Sequence, residues 1–162
     1  MEKLGSEVCR LLKEDARLSV KDVASLLGKT EAEIKSVIEK LEADKTIVKY
    51  VALVNNDSAF EEVVEAMIEV KVSPMHERGF DEIAEYVCQF EEVKNLYLMS
   101  GGYDLAIYIE GKSLKEVALF VSEKLSALPQ ILSTATHFVL KRYKIEGVTL
   151  GGSSKDRLIV QA

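Results

Sequence analysis

Cysteine and histidine are scarce in this chain of 162 residues, which has two of each. Cys9 and Cys88 lie far apart, each beside a valine on the apolar face of a predicted helix. That placement predicts buried free thiols rather than a disulfide. His76 and His137 stand at no spacing that zinc ligands use, with each other or with the cysteines. We therefore predict no metal site, and we expect no cofactor.

Long apolar runs are also missing, and none approaches the length of a membrane span. The N-terminal segment, MEKLGSEVCRLLKED, is charged and amphipathic and lacks the apolar core of a signal peptide. We therefore expect a cytoplasmic protein with no membrane partner. Apolar residues nonetheless make up 48% of the chain, which is material for more than one hydrophobic core.

An excess of positive charge is the third absence. The net charge of −6 argues against nonspecific nucleic-acid binding by the whole molecule. Residues 1–50 have no net charge, however, with ten Lys or Arg and ten Asp or Glu. The excess negative charge therefore lies in the rest of the chain. A neutral module can bind DNA if its basic residues share a face, and it would bind weakly as a monomer.

Against these absences, residues 19–41 repeat the apolar spacing of an amphipathic helix twice. The apolar positions are Val20, Val23, Ala24 and Leu27, and then Ile34, Val37, Ile38 and Leu41. Ser19 and Thr30 each begin a capping box, and Gly28 turns the chain between the two helices. This pattern predicts a helix-turn-helix, whose second helix can enter a DNA major groove.

Three helices are predicted before residue 50, over Glu2–Glu14, Val20–Leu27 and Glu31–Ala43, and together they can enclose a small core. The β-branched run TIVKYVALVN that follows predicts a strand leaving the bundle. The turn-rich segment Asn55–Ser58 is the best candidate for a domain boundary.

Beyond that boundary, strands and helices are predicted in the order β-α-β-β-α-β. Strands cover residues 64–72, 93–99, 105–109 and 131–143, and helices cover residues 80–88 and 113–128. Gly101 and Gly102 predict a tight hairpin between the second and third strands. Pro129 ends the second helix. The order is that of the split βαβ, or ferredoxin-like, fold.

The predicted fold class is therefore α+β, with an N-terminal helix-turn-helix (winged-helix-like) domain and a C-terminal ferredoxin-like βαββαβ domain. We place the first domain at residues 1–46, a connecting strand and linker at 47–60, the ferredoxin-like domain at 61–145 and a tail at 146–162. The tail ends in the strand-like segment Leu158–Val160.

Two of the predicted strands look apolar on both sides. In the second strand Val93, Tyr97 and Met99 oppose Leu96 and Leu98, and in the fourth Ala135 and Val139 oppose Leu132, Phe138 and Leu140. Both helices of a ferredoxin-like fold cover one sheet face, so an apolar second face predicts a partner. The simplest partner is a second copy, which predicts a homodimer. Alternatively, the connecting strand and the tail cover this face.

A helix-turn-helix followed by a connecting strand and a βαββαβ domain resembles the Lrp/AsnC family, the leucine-responsive and feast/famine transcription regulators of bacteria and archaea. The resemblance covers about residues 1–145. The residues that carry it are Leu41-Glu42, Ile47, Tyr50, Gly101-Gly102-Tyr103-Asp104-Leu105 and Thr134-x-Thr136.

The resemblance implies dimers that join through their C-terminal sheets, and rings of four dimers, an octamer. It also implies a small effector, commonly an amino acid, bound between neighbouring C-terminal domains. The implied effector residues are Ser100, Gly101, Gly102, Tyr103, Asp104, Ser133, Thr134 and Thr136. Glycine would let a carboxylate approach backbone N–H groups, and the aspartate could receive an ammonium group. The alternative is that the glycines serve the hairpin and the hydroxyls are ordinary strand residues.

This sequence departs from the family at two places. Gly102 replaces the usual aspartate of the effector loop, and the recognition helix, usually rich in arginine, is acidic. The candidate DNA-binding residues are Lys29, Thr30, Lys35, Ser36 and Lys40. Lys29 and Thr30 stand at the start of the helix, where a phosphate is favoured. Lys35 and Ser36 could reach base edges, and Lys40 could touch a phosphate. The alternative is a solvated face of i,i+4 ion pairs.

Three functions are compatible with these patterns. The first is a DNA-binding transcriptional regulator that responds to a small metabolite and whose partners are double-stranded DNA and an amino acid. The second is a ligand-sensing or assembly module with weak or no DNA binding. The third is an enzyme, because tetrapyrrole decarboxylases resemble this family. An enzyme needs His, Arg or Tyr clustered at a cavity, and His76, Arg78, His137 and Arg142 lack motif spacing, so we predict no catalytic residue.

Overall fold

Three helices, each with one apolar stripe, pack together in the first of two units into which the chain divides, Met1–Val54. The computed structural model describes residues 2–55, 63–73 and 79–150. The helices are α1 (Glu2–Glu14), α2 (Val20–Leu27) and α3 (Glu31–Ala43), as predicted. Their buried core consists of Val8, Leu12, Val23, Ala24 and Ile34.

Both predicted capping boxes are confirmed. The Asp22 N–H donates to Ser19 Oγ at 3.1 Å, and the Ser19 N–H donates to the Asp22 carboxylate at 3.0 Å. The same exchange starts α3 at Thr30. Between the two helices, Gly28 has φ +62° and ends α2. That left-handed conformation favours glycine, because a Cβ would be strained there.

The predicted connecting strand is wrong for the residues that the structure describes. Residues 48–55 contain no strand, and they join neither of the two sheets. A β-branched run becomes a strand only when a neighbouring strand takes its N–H and C=O groups. Just before this segment, Ile47 packs on the helical core, and its N–H donates to Leu41 O at 2.8 Å.

The second unit, Asn55–Ala162, contains an antiparallel four-stranded sheet in the order β2-β3-β1-β4. The strands are β1 (Val64–Val72), β2 (Val93–Leu98), β3 (Leu105–Gly111) and β4 (Ile131–Phe138). The helices are α4 (Asp81–Val87) and α5 (Leu114–Leu119), and α5 continues as a π-helical segment over Phe120–Leu125. The order along the chain is the predicted β-α-β-β-α-β.

The C-terminal boundaries differ from the prediction. β4 ends at Phe138 rather than at residue 143, and a short hairpin follows, β5 (Lys144–Ile145) with β6 (Val148–Thr149). Glu146 and Gly147, with φ +46° and +83°, form its two-residue turn. The hairpin crosses the boundary that we placed at residue 145. The strand-like segment at 158–160 lies outside the described residues.

The helices cover one face of the sheet, called the helix face below. Strand pairing places Ala66, Ile68 and Val70 of β1 opposite Ile109, Ile107 and Leu105 of β3. These six residues are buried with Ile83, Val87, Val117, Phe120 and Leu125 from the helical segments. The second core therefore lies between this face and the helices.

The prediction that β2 and β4 are apolar on both sides is only partly right, because Tyr97 and Ala135 do lie opposite Leu98 and Phe138, but polar residues share their face. The opposite face, called the second face below, carries Glu65, Met67, Glu69, Lys71, Asn95, Tyr97, Ala106, Tyr108, Glu110, Ser133, Ala135 and His137. Its polar residues come from all four strands, and a bulge between Val93 and Asn95 also shifts the alternation of β2 by one residue. Val93 consequently joins Leu96 and Leu98 on the helix face.

The two cysteines are free, as predicted, but the prediction that they are buried is wrong, since neither is fully buried. Cys9 is half-buried in α1. Cys88 is exposed, because it follows the last helical residue of α4, Val87, which takes the core position.

Candidate functional site

The exposed face of α3 carries most of the candidate DNA-binding residues. Ile34 is buried, and Val37, Ile38 and Leu41 are half-buried against α1 and α2. Lys35, Ser36 and Lys40 are exposed on the opposite side, together with Glu39. Helical geometry therefore presents these three candidates on one solvent-facing surface.

An ion pair crosses this surface, with 3.9 Å between Lys35 Nζ and Glu39 Oε1. Both side chains are largely exposed, so the pair stabilises the helix by only about 0.3–0.5 kcal/mol. Such a weak pair leaves Lys35 free to exchange partners. The alternative of a solvated face with i,i+4 ion pairs is therefore present at Lys35 and Glu39. It is compatible with DNA contact by Lys35.

Lys29 and Thr30 lie at the start of α3, in the turn before it and at its N-cap. Here the capping box already uses the N–H groups of Thr30 and Glu33. Hydrogen bonds from the Thr30 N–H and then from its hydroxyl lower the pKa of the Glu33 carboxyl. A negative carboxylate at the helix start opposes a phosphate there, so Lys29 must supply the local attraction.

The candidate effector loop, Ser100–Asp104, joins β2 to β3. Its ends meet where the Met99 N–H donates to Asp104 O at 2.7 Å. Gly101 and Gly102 are exposed, and neither has a positive φ. No atom of the described residues lies within 4 Å of a Cβ added at either position. Neither the backbone conformation of the turn nor the packing therefore requires glycine here. This does not support the alternative interpretation, in which the two glycines are present because a tight hairpin needs them.

Asp104 connects this loop to β1. Its carboxylate oxygen Oδ2 accepts a hydrogen bond from the Val72 N–H at 2.8 Å. Its own N–H donates to Val70 O at 3.0 Å. Val72 follows an irregularity in the β1–β4 register, between Lys71 and Val72. The side chain that we expected to receive an effector's ammonium group thus contacts the protein backbone.

The three hydroxyl residues of β4 divide between the two faces. Thr134 and Thr136 pair with Val70 and Ile68 on the helix face and are half-buried, whereas Ser133 is exposed on the second face. Ser133 and Thr134 share the end of the sheet at which the loop lies. Because β1 separates β3 from β4, about 10 Å of sheet lies between Thr134 and the loop.

Two close contacts between a basic side chain and a carboxylate, on or beside the second face, were not predicted from the sequence. His137 Nε2 lies 3.4 Å from Glu69 Oε1, and Arg142 pairs with Glu65. The partners are far apart in sequence, so only strand pairing reveals them. His76 and Arg78 lie outside the described residues. The other two residues considered for an enzyme therefore contact separate carboxylates.

A cleft at the opposite end of the sheet from the loop also escaped prediction. It has a volume of about 660 Å³ and lies beside Glu92, Lys94, Glu110 and Lys124. Lys124 Nζ lies 2.5 Å from Glu92 Oε1 and 5.1 Å from the centre of the Phe90 ring. The hydrogen bond from Lys124 lowers the pKa of the Glu92 carboxyl. These lining charges are paired, since Lys94 also lies 3.7 Å from Glu110.

The described part of the chain contains neither a candidate metal site nor a candidate membrane span. In residues 2–55, 63–73 and 79–150, no group of three or more His, Cys, Asp or Glu side chains is arranged to hold a metal ion. No helix in those ranges is long and apolar enough to cross a membrane.

Comparison with known proteins identifies the family. Residues 65–149 match the family model described as the Lrp/AsnC ligand binding domain. HTH-type transcriptional regulator YugG of Bacillus subtilis (strain 168) is 43% identical over 96% of this chain and 94% of its own length. An HTH-type transcriptional regulator of Pyrococcus furiosus is 32% identical over 84% of this chain and 89% of its own.

The fold is also that of a solved regulator. The transcriptional regulator of Neisseria meningitidis in complex with L-Met superposes with a TM-score of 0.72 at 19% identity, over 93% of this chain and 96% of that one. The match to the Bacillus subtilis relative, over 96% of this chain, includes the helix-turn-helix, and the family model matches residues 65–149, which contain nearly all of the ferredoxin-like sheet. The chain therefore belongs to the Lrp/AsnC family of ligand-responsive HTH-type transcriptional regulators.

Proposed function

We propose that this regulator binds DNA through the exposed face of α3 and responds to an amino acid at the Ser100–Asp104 loop. The observation that carries the first part is that Lys35, Ser36 and Lys40 share one exposed helix face, held in place by a capped and well-packed helix-turn-helix. A recognition helix of this kind fits the major groove. Lys35 and Ser36 then read base edges, while Lys40 and Lys29 contact phosphates.

The effector part is supported by the loop's open backbone. Gly101 and Gly102 leave room for a ligand's carboxylate to approach N–H donors. Tyr103 and Asp104 complete the loop, and Ser133, Thr134 and Thr136 lie on β4, which β1 separates from the loop. The relative from Neisseria meningitidis was solved with L-Met, which favours an amino acid as the class of ligand.

We further propose a homodimer joined through the second faces, with an octamer of four dimers as the larger assembly. Tyr97 and Tyr108 lie on this face with 5.9 Å between ring centres, and they are 51% and 39% exposed. Aromatic residues with such exposure are enriched in interfaces. Joining helix-turn-helix units also compensates for a weak neutral module, because each bound unit raises the effective concentration of the next.

A second candidate function is a sensor or assembly module with little DNA affinity. The feature that favours it is the acidity of α3, with Glu31, Glu33, Glu39 and Glu42 on a helix that would face polyanionic DNA. In either case we propose a regulatory role in the cytoplasm rather than catalysis, since the relatives are regulators.

The test uses the full chain and duplexes selected from a random library. Fluorescence anisotropy at two salt concentrations, with and without each amino acid, should show binding that falls steeply with salt and changes with at least one amino acid. A thermal-shift screen identifies that amino acid, because a ligand at about a hundred times its Kd stabilises the protein by about 2.7 kcal/mol. If low-salt binding is absent under every condition while a ligand stabilises the protein, the sensor function is correct instead.

A further inference from the structure

Asp104 makes three hydrogen bonds that join the candidate effector loop to the sheet. Its N–H donates to Val70 O, its carbonyl accepts from the Met99 N–H, and its Oδ2 accepts from the Val72 N–H. The two backbone bonds do not depend on the type of side chain. The third bond, at 2.8 Å, depends on an acceptor at the position of the Asp104 carboxylate.

The partner of that carboxylate occupies a special place in the sheet. Val70, opposite Leu105, is the last β1 residue paired with β3, and the Val72 N–H points to the same side of β1 two residues further on. A backbone N–H beyond the end of a ladder needs another acceptor. The Val72 side chain is buried, with 5% exposure, so solvent is a poor substitute.

We propose that Asp104 is a positioning residue of the effector loop and not the ligand for an effector's ammonium group. The proposal rests on the proposed function, because it concerns the same loop. Asp104 Oδ2 holds the Val72 N–H, which fixes the loop's end on the central strand β1. The exposed glycines next to it are thereby kept in one conformation for the ligand.

The chemistry separates the two roles. Binding of an ammonium group requires the negative charge, whereas acceptance of the Val72 N–H requires only an oxygen. Asp104→Asn keeps an oxygen acceptor of nearly the same shape and removes the charge. Asp104→Ala removes both. Asp81→Asn is the matched control for charge, since Asp81 is exposed in the first turn of α4.

The first measurement does not depend on any effector. Hydrogen exchange at the Val72 amide, followed by NMR on the full chain, should accelerate at least about tenfold in Asp104→Ala and stay within about threefold of wild type in Asp104→Asn. Unchanged exchange in Asp104→Ala would overturn the positioning role. If Asp104→Ala does not fold, the wild-type Val72 amide decides, since exchange there as fast as at an amide with no hydrogen bond would overturn the positioning role.

The second measurement is the Kd of each variant for the amino acids, with L-methionine tested first. Asp104→Asn and Asp81→Asn should bind within about threefold of wild type, and Asp104→Ala should bind at least about tenfold more weakly. A large loss in Asp104→Asn with the Val72 amide still protected would show that the charge itself binds the effector. If the wild type binds no amino acid, the proposed effector class fails, while the exchange data still decide whether Asp104 holds the loop.

Discussion

Thr30 and Glu33 exchange hydrogen bonds at the start of α3. The Glu33 N–H donates to Thr30 Oγ1 at 3.3 Å, and the Thr30 N–H donates to Glu33 Oε2 at 2.9 Å. The contact starts the candidate recognition helix, and it also places a carboxylate where a DNA phosphate would otherwise be attracted. Helix stability and DNA affinity therefore oppose each other at this position.

Glu33→Gln should increase DNA affinity. The amide oxygen can still accept from the Thr30 N–H, while the negative charge at the helix start is removed. We expect a gain of about two- to fivefold in affinity at low salt, from the interaction of one charge with a phosphate near a helix terminus. Anisotropy titrations measure it. Glu85→Gln, an exposed substitution in α4, is the control, and an equal gain there would show an effect of net charge alone.

The capping carboxylates should make stability depend on pH in the acid range. Hydrogen bonds from Ser19 and from Thr30 lower the pKa values of Asp22 and Glu33 below their ordinary 3.8 and 4.5. A lowered folded-state pKa gives a stabilisation that is present above the unfolded-state value and disappears as the pH falls through the folded-state value. Wild type should therefore lose this contribution only below pH 4.5.

The measurement compares thermal unfolding of wild type and the double variant Ser19→Ala, Thr30→Ala from neutral pH into that range. The difference between their midpoints should be largest near neutrality and should shrink in acid, because the Ser19 and Thr30 hydroxyls, which the variant lacks, donate more strongly to an ionised carboxylate than to a protonated carboxyl. A difference that stays constant or grows in acid would contradict the assignment.

Lys35 and Lys40 should contribute to DNA binding in different ways. Lys40→Ala removes a phosphate contact, so it should weaken all sequences alike and reduce the slope of log K against log salt by about 1. Lys35→Ala removes a base contact, so it should weaken selected duplexes by about 1–3 kcal/mol and relax their sequence preference. Binding curves at several salt concentrations test both. Lys21→Ala, on exposed α2 surface, is the control and should change neither property.

Gly102→Ala should leave stability unchanged within about 0.5 kcal/mol, because φ is not positive and no atom of the described residues lies within 4 Å of the added Cβ. Gly28→Ala should destabilise the protein by about 1 kcal/mol, because φ is +62° there. Urea denaturation measures both. If Gly102→Ala weakens amino-acid binding at unchanged stability, backbone access at the loop is the cause. A loss of stability equal to that of Gly28→Ala would contradict the described loop.

The helical unit follows from the sequence to within a residue. Apolar spacing defines α2 and α3, Ser19 and Thr30 mark where they begin, and Gly28 marks the turn. These signals are local, since each involves residues within one or two turns of the same helix. The order of strands and helices in the second unit follows for the same reason. The predictions from sequence are wrong where the structure depends on contacts between distant segments. Residues 48–55, for example, were predicted as a strand and pair with none of the described strands.

The chain by itself thus determined its helices, their caps, the βαββαβ order and the family resemblance. Only the tertiary structure decided which side chains share a face. The bulge beside Val93 shifts the alternation of β2, and the end of the β1–β3 pairing at Val70 leaves the Val72 N–H to donate to a carboxylate 32 residues away, that of Asp104. A bulge is one residue inserted into a period of two, and its place depends on strand pairing rather than on any local pattern. The mixed second face and the position of the effector loop are consequences of that pairing.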